Sequence, residues 1–491
     1  MPNTSDLQIL FATPEIRPLI KTGGLADISA SLPAALRKLG VDVRVLVPGY
    51  PAVMEGALNI QSLYWFGDFF GFDEVHLLSA ILPGTDIPLL IIEAPQYYTR
   101  GGGPYQDPKK LDWPDNALRF ALLSRMAAYL VSSASPLEFR PKLLHCNDWQ
   151  TGLAPAYLHF ATEPQVPTVL TIHNLAFQGI FPPPVVAEVG LPPQSFAIEG
   201  VEYYGNLSFL KAGLYYATHI TTVSPNYAEE IQREPLGFGM QGLLKQRAAD
   251  LTGIVNGIDN DEWNPAADPH IARNYGSGNL DEKAANKAAL QKMLGLAVDP
   301  AIPLLGAVSR ISYQKGLDML LEIVPTLLEE PVQLVILGTG EALLEQSFTR
   351  LVQSHPGKVA AYIGFDEKLS HLVEAGIDMF LMPSRFEPCG LNQMYSQRYG
   401  TPPIVHATGG LVDTVIDTTP ETLLDKSASG FLFGENTAAG LLDAIRRALG
   451  CYRNPNTWRQ IQLAGMNRDF SWDASATRYL ELYRSLLAEK D

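Results

Sequence analysis

Two segments of the sequence combine positive side chains with glycine, a combination suited to binding phosphate. Lys21 precedes Gly23 and Gly24 at the predicted start of a helix, where backbone N–H groups and the helix dipole favour an anion. Arg310 and Lys315 lie in the run SRISYQKG, directly after a predicted strand. Two such cations can neutralise a diphosphate and stabilise the charge on a departing nucleotide without a metal ion. Taken singly, the first segment also fits a tight turn with a solvated lysine, and the second also fits a solvated Arg–Lys pair on the surface.

A carboxylate follows another predicted strand in the second half of the chain. Glu387 lies in SRFEPCGL, and Pro388 predicts that a helix begins there. The first turn of that helix would offer unpaired N–H groups to a phosphate, namely those of Cys389, Gly390 and Leu391. A carboxylate beside them can hold sugar hydroxyls or respond to positive charge at a reacting carbon, and capping of the helix by Glu387 is the alternative. The Cys389 thiol has no histidine partner in the pattern and is predicted to pack as a small side chain.

Imidazole and carboxylate groups also follow predicted strands in the first half. His145 and Asp148 lie in HCNDW, and His173 lies in TIHNLAFQG. Their side chains could bind sugar hydroxyls, whereas a histidine at a strand end also fits a structural role. Residues 259–261 (Asp-Asn-Asp) resemble an acidic metal-binding motif, but turn chemistry explains them better, and no metal site is predicted.

The elements that must position these residues are short apolar runs of strand length, alternating with stretches of helical spacing. The predicted strands are residues 7–13, 41–47, 89–92, 143–145, 168–172 and 219–223 in the first half, and 304–308, 333–337, 360–363, 379–382 and 403–406 in the second. The predicted helices include residues 25–39, 317–328, 342–352, 391–399 and 474–487. Strand–helix–strand order predicts parallel sheets, and open α/β sheets bind ligands at the carboxyl ends of their strands.

The predicted fold class is therefore α/β, with two doubly wound Rossmann-like domains facing a central cleft. We assign residues 1–255 to the first domain and residues 256–468 to the second. Residues 469–491 are predicted to form a C-terminal helix that crosses back to the first domain. The polar stretch 256–295 is interpreted as the boundary and linker between the domains.

Two further features bear on function. Residues 101–104 and 182–184 are interpreted as loops that act as lids or contact an acceptor. The run TGGLAD at residues 22–27 resembles TGGLVD at residues 408–413, so the same short glycine-containing motif occurs in both halves.

Length and composition limit the class of protein. The chain has 491 residues and is 46% hydrophobic, which suffices for sizeable cores, and its net charge of −16 argues against nucleic-acid and anionic-membrane partners. Widely spaced cysteines predict a reducing compartment rather than disulfides: Cys146, Cys389 and Cys451. The N-terminus has no basic region followed by an apolar stretch, and no run of about 18 apolar residues occurs, so neither a leader peptide nor a membrane span is predicted.

Taken together, the motifs resemble those of the bacterial glycogen synthase and plant starch synthase family. The matching segments follow one another over essentially the whole chain: KTGGLAD, HCNDWQTGLAPAYL, TIHNLAFQGIF, VSPNYAEEI, NGID, SRISYQKGLD and PSRFEPCGLNQMYSQRYG. The resemblance implies a GT-B glycosyltransferase that transfers glucose from a nucleotide sugar, usually ADP-glucose, to the non-reducing end of an α-1,4-glucan with retention of configuration. It implies no cofactor or metal beyond the donor. The expected partners are the nucleotide sugar and the α-glucan acceptor, and the oligomeric state is left open.

The roles of the family's residues carry over to the matching positions. The resemblance assigns catalytic roles to four residues: Arg310, Lys315, Glu387 and His173. It assigns binding of the nucleotide sugar to Lys21, Gly23, Gly24, Phe365, Cys389, Gly390, Leu391 and Thr408. It assigns binding of the acceptor and sugar to Asp27, Tyr105, Asp148 and Asn256. The two cations would clamp the diphosphate, Glu387 would hold glucose hydroxyls, and His173 would support positive charge at the anomeric carbon. We expect same-face substitution, with closure of the two domains excluding water.

Two positions depart from the family pattern. Phe365 stands where relatives often carry a tyrosine stacked on adenine, and Asn392 stands where many bacterial members have threonine. The choice between ADP-glucose and UDP-glucose, and between glycogen and starch, is therefore left open. The expected location is the bacterial cytoplasm, or the plastid stroma or starch granule if a transit peptide has been removed. A non-catalytic glucan-binding scaffold and a sugar-nucleotide epimerase are the competing functions.

Overall fold

The computed structural model describes residues 7–161 and 166–488. The prediction that no leader peptide is present depends partly on residues 1–6, which lie outside the described residues. Contacts within the chain divide it into a first unit, Met1–Gly257 with Trp472–Asp491, and a second unit, Ile258–Ser471.

The strands of the first unit form a large mixed sheet and a small antiparallel one. They are β1 (Gln8–Ala12), β2 (Asp42–Pro48), β3 (Leu58–Phe69), β4 (Phe72–Ile81), β5 (Pro88–Glu93), β6 (Leu143–Asn147), β7 (Thr168–Ile172), β8 (Ile180–Phe181), β9 (Glu202–Tyr203), β10 (Asn206–Ser208), β11 (His219–Thr222) and β12 (Leu251–Gly253). The large sheet has the order β12–β11–β7–β6–β1–β2–β5–β4–β3, and the small one has the order β8–β10–β9. Strands β12 to β5 of the large sheet pair in parallel, whereas β5, β4 and β3 pair antiparallel.

Helices cover the large sheet of the first unit. They are α1 (Gly24–Lys38), α2 (Pro51–Gly56), α3 (Pro95–Tyr98), α4 (Asn116–Leu130), α5 (Leu153–His159), α6 (Val185–Glu188), α7 (Phe209–Tyr216), α8 (Pro225–Glu230) and α9 (Gln241–Gln246). The central strands β1, β6 and β7 are almost entirely buried and mostly apolar, as expected for strands with both faces covered.

The second unit contains a parallel sheet covered by helices. Its strands are β13 (Leu304–Val308), β14 (Gln333–Gly338), β15 (Val359–Ile363), β16 (Met379–Met382), β17 (Pro403–His406) and β18 (Phe431–Phe433), in the order β15–β14–β13–β16–β17–β18. Its helices are α10 (Lys283–Met293), α11 (Leu317–Leu327), α12 (Ala342–Ser354), α13 (Glu367–Gly376), α14 (Asn392–Arg398), α15 (Gly410–Thr414), α16 (Pro420–Leu424), α17 (Ala438–Tyr452) and α18 (Pro455–Met466). The last helix of the chain, α19 (Trp472–Ala488), belongs to the first unit and packs against α1.

Most of the predicted elements are confirmed. The predicted strands 168–172, 304–308, 379–382 and 403–406 match β7, β13, β16 and β17 at both ends. The prediction omits the β3–β4 hairpin. Most residues of β3 are exposed, so its sequence lacks the apolar run that marks the buried strands.

The interpretation of residues 256–295 as a linker is wrong. Trp263 lies face to face between His371 and Tyr395, with its ring centroid 3.9 Å from each of theirs. Leu290, on α10, is fully buried, and α10 packs against α13. The stretch is polar in composition, but its few large apolar side chains anchor it to the second unit.

Candidate active site

In the second unit, the predicted cationic residues lie where the strand order reverses. The chain runs outward from β13 to β14 and β15 and then returns to β16 on the other side of β13. The connections after β13 and β16 therefore diverge and leave a crevice at their carboxyl ends, the usual ligand site of such sheets. Lys315 follows β13 and Glu387 follows β16, and Nζ of Lys315 donates to Oε2 of Glu387 at 2.5 Å. The hydroxyl of Ser384 donates to the same oxygen at 3.0 Å.

Glycine brings the lysine segment against the end of β16. Gly316 has a φ of +69°, and a Cβ there would lie 2.0 Å from the carbonyl oxygen of Pro383. The side chain of Arg385 reinforces this approach, because it donates two hydrogen bonds of 2.7 Å to Asp318 at the start of α11. Both contacts fix the position of Lys315 beside the carboxylate that follows β16.

Arg310 differs from Lys315 because its side chain has no partner among residues 7–161 and 166–488. Its side chain is exposed, and within the described part of the chain it makes no hydrogen bond or ion pair. A guanidinium that is free at the carboxyl end of β13 can form two parallel hydrogen bonds with a phosphate group. The second unit thus offers one preorganised cation and one uncommitted cation at the same strand end.

A second close approach of backbones places the glycine pair of TGGLVD beside Glu387. The N–H of Gly410 donates to the carbonyl of Glu387 at 3.2 Å. A Cβ at Gly409 would lie 1.9 Å from that oxygen, and one at Gly410 would lie 2.3 Å from the carbonyl oxygen of Cys389. Only glycine fits at both positions. Thr408, at the start of this segment, is 2% exposed.

The prediction that a helix begins at Pro388 is wrong. Helix α14 begins at Asn392, because Gly390 has a φ of +74° and breaks the helical path. Among the described residues, the N–H groups of Gly390 and Leu391 have no acceptor, so they remain available to a ligand. The Asn392 side chain donates to the carbonyl of Val308 at 2.6 Å and thereby ties this segment to β13.

The predicted base-stacking residue lies on the connection between β15 and α13. The ring of Phe365 is 78% exposed. The next residue, Asp366, caps α13 by accepting from the N–H of Leu369 at 2.9 Å. The cap fixes the backbone beside the ring and leaves the ring face open.

In the first unit, Lys21 and the glycine pair lie at the start of α1. Gly23 is the N-cap and Gly24 the first helical residue, and a Cβ at either would meet open space. Nζ of Lys21 donates to Asp27 at 2.9 Å. The predicted phosphate-binding lysine and the predicted sugar-binding aspartate are therefore an ion pair.

Glu15 is a residue of the first unit that the sequence analysis does not identify. Its Oε2 accepts from the N–H groups of Thr22 at 2.5 Å and Gly23 at 3.3 Å, so a carboxylate holds amides that we expected to face a phosphate. Its Oε1 accepts from the hydroxyl of Tyr105 at 2.8 Å. Burial raises the pKa of Glu15, and these hydrogen bonds act in the opposite direction. Glu15 follows β1 and thus occupies the same strand-end position as the residues that were identified.

Asp148 links two neighbouring strand ends. It follows β6, and its Oδ1 accepts from the N–H of His173, after β7, at 2.7 Å. Asp148 has a φ of +55°, a conformation that costs about 1–3 kcal/mol in a non-glycine residue and occurs preferentially at functional sites. Burial raises the pKa of the Asp148 carboxyl to about 7. This carboxyl therefore changes protonation near neutral pH.

His173 is held as a neutral imidazole. The amide nitrogen of Asn147 donates to the carbonyl of Ala12 at 2.9 Å, so the amide oxygen accepts from Nε2–H of His173 at 2.9 Å. Burial lowers the pKa of His173 to about 3. Its Nδ1 is buried and has no partner among the described residues. Nδ1 of His173 thus has a free lone pair among the described residues, which can accept a hydrogen bond from a sugar hydroxyl.

Two further candidates of the first unit are buried. His145 is fully buried and bonds Tyr483 at 2.7 Å and Thr171 at 2.6 Å, which is a structural role. Asn256 is 5% exposed, and its side-chain oxygen has no partner in the described chain. In the second unit, Oδ1 of Asp259 accepts from the N–H groups of Asp261 at 2.9 Å and Glu262 at 3.2 Å, so the turn predicted for residues 259–261 is confirmed.

Comparison with known proteins decides the family. Residues 8–246 match the starch synthase catalytic domain, and residues 297–462 match glycosyl transferases group 1. The chain is 58% identical to a glycogen synthase from Nitrosospira multiformis, over 99% of this chain and 98% of that one. It is 56% identical to a glycogen synthase from Nitrosomonas eutropha, over 100% and 99% of the two chains. The chain belongs to the bacterial glycogen synthase and plant starch synthase family.

Solved structures of the family and of the wider fold agree with this assignment. The catalytic domain of starch synthase IV from Arabidopsis thaliana, bound to ADP and acarbose, is 30% identical, with a TM-score of 0.86 over 98% of this chain and 99% of that one. Sucrose-phosphate synthase from Thermosynechococcus elongatus, 19% identical with a TM-score of 0.60 over 98% of this chain and all of that one, shares the fold. The chain is a glycosyltransferase with the GT-B fold, as the sequence predicts. Among the helices of residues 7–161 and 166–488, none combines the length and apolar character that a membrane crossing requires.

Proposed function

We propose that the chain transfers glucose from ADP-glucose to the non-reducing end of an α-1,4-glucan with retention of configuration, and thereby elongates glycogen. One observation carries this proposal: at the point where the order of the second sheet reverses, Lys315 is ion-paired with Glu387, while the side chain of Arg310 is exposed and has no partner in the part of the chain that the structure describes. This arrangement provides positive charge for a diphosphate and a carboxylate for sugar hydroxyls at one strand edge.

In the proposed reaction, the cations stabilise the leaving group. The bond between C1 of glucose and the terminal phosphate oxygen breaks, and the acceptor hydroxyl oxygen bonds to C1 on the same face. The hydroxyl proton passes to the departing phosphate oxygen, so ADP and the elongated glucan are the products. Arg310 and Lys315 neutralise the charge that develops on the diphosphate.

Glu387 binds sugar in this proposal and does not attack it. A retaining enzyme with a covalent intermediate needs a free carboxylate nucleophile near C1. Oε2 of Glu387 already accepts from Lys315 and Ser384, which lowers its nucleophilicity. The unpaired amides of Gly390 and Leu391 add hydrogen bonds to the glucose and its phosphate.

The first unit carries further residues suited to binding sugar and acceptor. The unpaired Nδ1 of His173 accepts a hydroxyl of the transferred glucose, and its neutral state leaves that lone pair available to stabilise positive charge at C1. Asp148 and Tyr105 bind the acceptor, since a carboxyl with a pKa of about 7 can either donate to or accept from a hydroxyl. Lys21 would exchange its partner Asp27 for a donor phosphate.

The preference for ADP-glucose rests on two supports. The Arabidopsis relative was solved with ADP, and the exposed ring of Phe365 offers a face on which adenine can stack. The bacterial origin of the glycogen synthases that match this chain supports the bacterial cytoplasm as the site of the reaction.

A labelled-donor assay tests the proposal. The protein is incubated with radiolabelled ADP-glucose or UDP-glucose, with and without a maltooligosaccharide. We expect label in a lengthened oligosaccharide, faster with ADP-glucose, and an α-anomeric signal for the new linkage. Transfer that is absent with both donors would contradict the proposal. Conversion of the donor without acceptor would indicate an epimerase.

A further inference from the structure

The first unit contains a cavity whose wall includes none of the residues placed in the proposed reaction, although the loop of residues 101–104 forms part of it. Its volume is about 520 Å³. It lies beside the segments that follow β1, β2 and β5, and all of its lining residues belong to the first unit. Its wall includes the side chains of Tyr50, Tyr98 and Arg119 and the glycine run of residues 101–103.

Arg119 forms no ion pair among the described residues, although the wall also contains Glu55. The side chain of Arg119 is 0% exposed, and Nη1 donates to the carbonyl of Pro104 at 2.8 Å and to Asn116 at 2.7 Å. Nε donates to the carbonyl of Tyr97 at 2.8 Å. These acceptors are neutral, and within residues 7–161 and 166–488 no carboxylate forms an ion pair with the guanidinium. Nη2 is buried and has no partner there. A buried charge of this kind is unfavourable unless something pairs with it.

A second unpaired polar group lies on the same wall. The hydroxyl of Tyr50 is buried without a partner in the described chain, and the residue is 3% exposed. Cζ of Arg119 lies 5.9 Å from the centroid of the Tyr50 ring. Burial raises the pKa of Tyr50, the guanidinium of Arg119 opposes that change, and the carboxylate of Glu15 adds to it. The hydroxyl of Tyr98, by contrast, is satisfied by the carbonyl of Arg119 at 2.6 Å.

We propose that this cavity binds a small organic anion whose phosphate or carboxylate group accepts hydrogen bonds from Nη2 of Arg119 and the hydroxyl of Tyr50. A guanidinium only donates, so its partner must be an acceptor, and an anion also supplies the missing charge. A water molecule occupies about 30 Å³ in the liquid, far less than the cavity, whose size is that of a small-molecule site. Ile20, Pro51 and Ala52 provide apolar wall for the body of the ligand.

The bound anion would stabilise the backbone that carries Tyr105. Arg119 holds the carbonyl of Pro104, and Asn116 donates to the carbonyl of Tyr105 at 2.9 Å. Fixing the guanidinium therefore fixes the segment whose tyrosine hydroxyl bonds Glu15. If the proposed function holds, occupancy of the cavity lowers KM for the glucan acceptor more than it changes kcat.

Thermal unfolding with a matched set of sugars tests the binding directly. The probes are galactose 6-phosphate, galacturonate and galactose, at constant ionic strength and without donor or acceptor. They share a hexose body and differ in the phosphate, the carboxylate or the absence of charge. We expect the melting temperature to rise with at least one charged probe and not with galactose, because a ligand that binds the native state stabilises it. The more effective charged probe identifies the head group.

Variants assign the effect to the cavity. Tyr50→Phe removes the hydroxyl and keeps the ring, and we expect it to weaken binding of the charged probe about tenfold. Tyr204→Phe, at a tyrosine that is 78% exposed, serves as the control and should bind as the unmodified protein does. Lys315→Ala, in the second unit, should also keep the shift, which separates this site from the proposed diphosphate site.

Three results would overturn the proposal: no greater shift with either anion than with galactose, an unchanged shift in Tyr50→Phe, or a crystal grown with the effective probe that shows only water at Nη2 of Arg119. The measurement involves no glucosyl transfer, so its outcome is independent of the proposed function.

Discussion

Replacing Asp148 with asparagine should change how the stability of the protein depends on pH. Burial raises the pKa of Asp148 in the folded protein to about 7, whereas the value in an unfolded chain is about 3.9. The folded state therefore binds a proton that the unfolded state releases between about pH 4 and pH 7. Because the native pKa is the higher one, this contribution to stability is complete below about pH 4 and is lost as the pH rises through about 7.

The size of the effect follows from the difference between the two pKa values. The two pKa values differ by about 3, and each pKa unit corresponds to about 1.36 kcal/mol. The free energy of unfolding therefore falls by up to about 4 kcal/mol from below pH 4 to above pH 7. Asparagine carries no charge and loses nothing over this range. It can still accept from the N–H of His173, and it tolerates a positive φ better than most residues. Glu15, whose pKa burial also raises, is present in both proteins.

The assay is urea unfolding of the two proteins at about pH 5 and about pH 8, monitored by circular dichroism. Relative to the unmodified protein, we expect the free energy of unfolding of Asp148→Asn to rise by as much as about 3 kcal/mol between these two pH values, because part of the loss is already complete at pH 5. Asp443→Asn, at an exposed position on α17, is the control and should leave the pH dependence unchanged. Parallel pH profiles for Asp148→Asn and the unmodified protein would refute the reasoning.

Two further predictions concern the second unit. Trp263 is 9% exposed and packed between two aromatic rings. Trp263→Ala should therefore destabilise the protein by about 3–5 kcal/mol, and Trp263→Phe by less, as measured by urea unfolding. A loss below about 1 kcal/mol for the alanine variant would contradict the packing role. Gly316→Ala should lower stability by more than about 1 kcal/mol and reduce turnover, because its Cβ would lie 2.0 Å from the carbonyl oxygen of Pro383 at a φ of +69°. Gly434→Ala, where a Cβ meets open space, is the matched control, and equal behaviour of the two alanine variants would contradict the argument.

The parallel strands could be predicted from the sequence because they are buried on both faces. Strands such as β7 and β13 are runs of apolar, often β-branched residues, and this pattern survives whatever packs around them. The β3 strand lies at the edge of its sheet and is mostly exposed, so no comparable signal marks it. Residues 256–295 misled the prediction for a related reason. Their average composition is polar, and the burial of Trp263 depends on rings that are more than 100 residues away in the chain.

For the candidate site, the sequence predicts which residues take part but not which of them contact one another. Strand ends locate Lys315, Glu387, Asp148 and His173, because parallel strands bring their carboxyl ends to one edge. Spacing does not reveal which of them pair. The Lys315–Glu387 contact joins residues 72 apart, and the Tyr105–Glu15 contact joins residues 90 apart. Such pairs depend on tertiary packing, which is why the carboxylate of Glu15 at the start of α1 was not expected.

Positive charge at the carboxyl end of β13 is central to the proposed reaction, and steady-state kinetics of glucosyl transfer by Arg310→Ala and Lys315→Ala test it most directly. We expect each variant to lose about 10²–10³-fold in kcat, the usual effect of removing one preorganised donor to a developing negative charge. Arg350→Ala removes an exposed arginine on α12 whose side chain has no partner among the described residues, and it should keep the unmodified rate. All three proteins should unfold at similar temperatures. Undiminished transfer by both Arg310→Ala and Lys315→Ala, in folded protein, would contradict the role assigned to these cations.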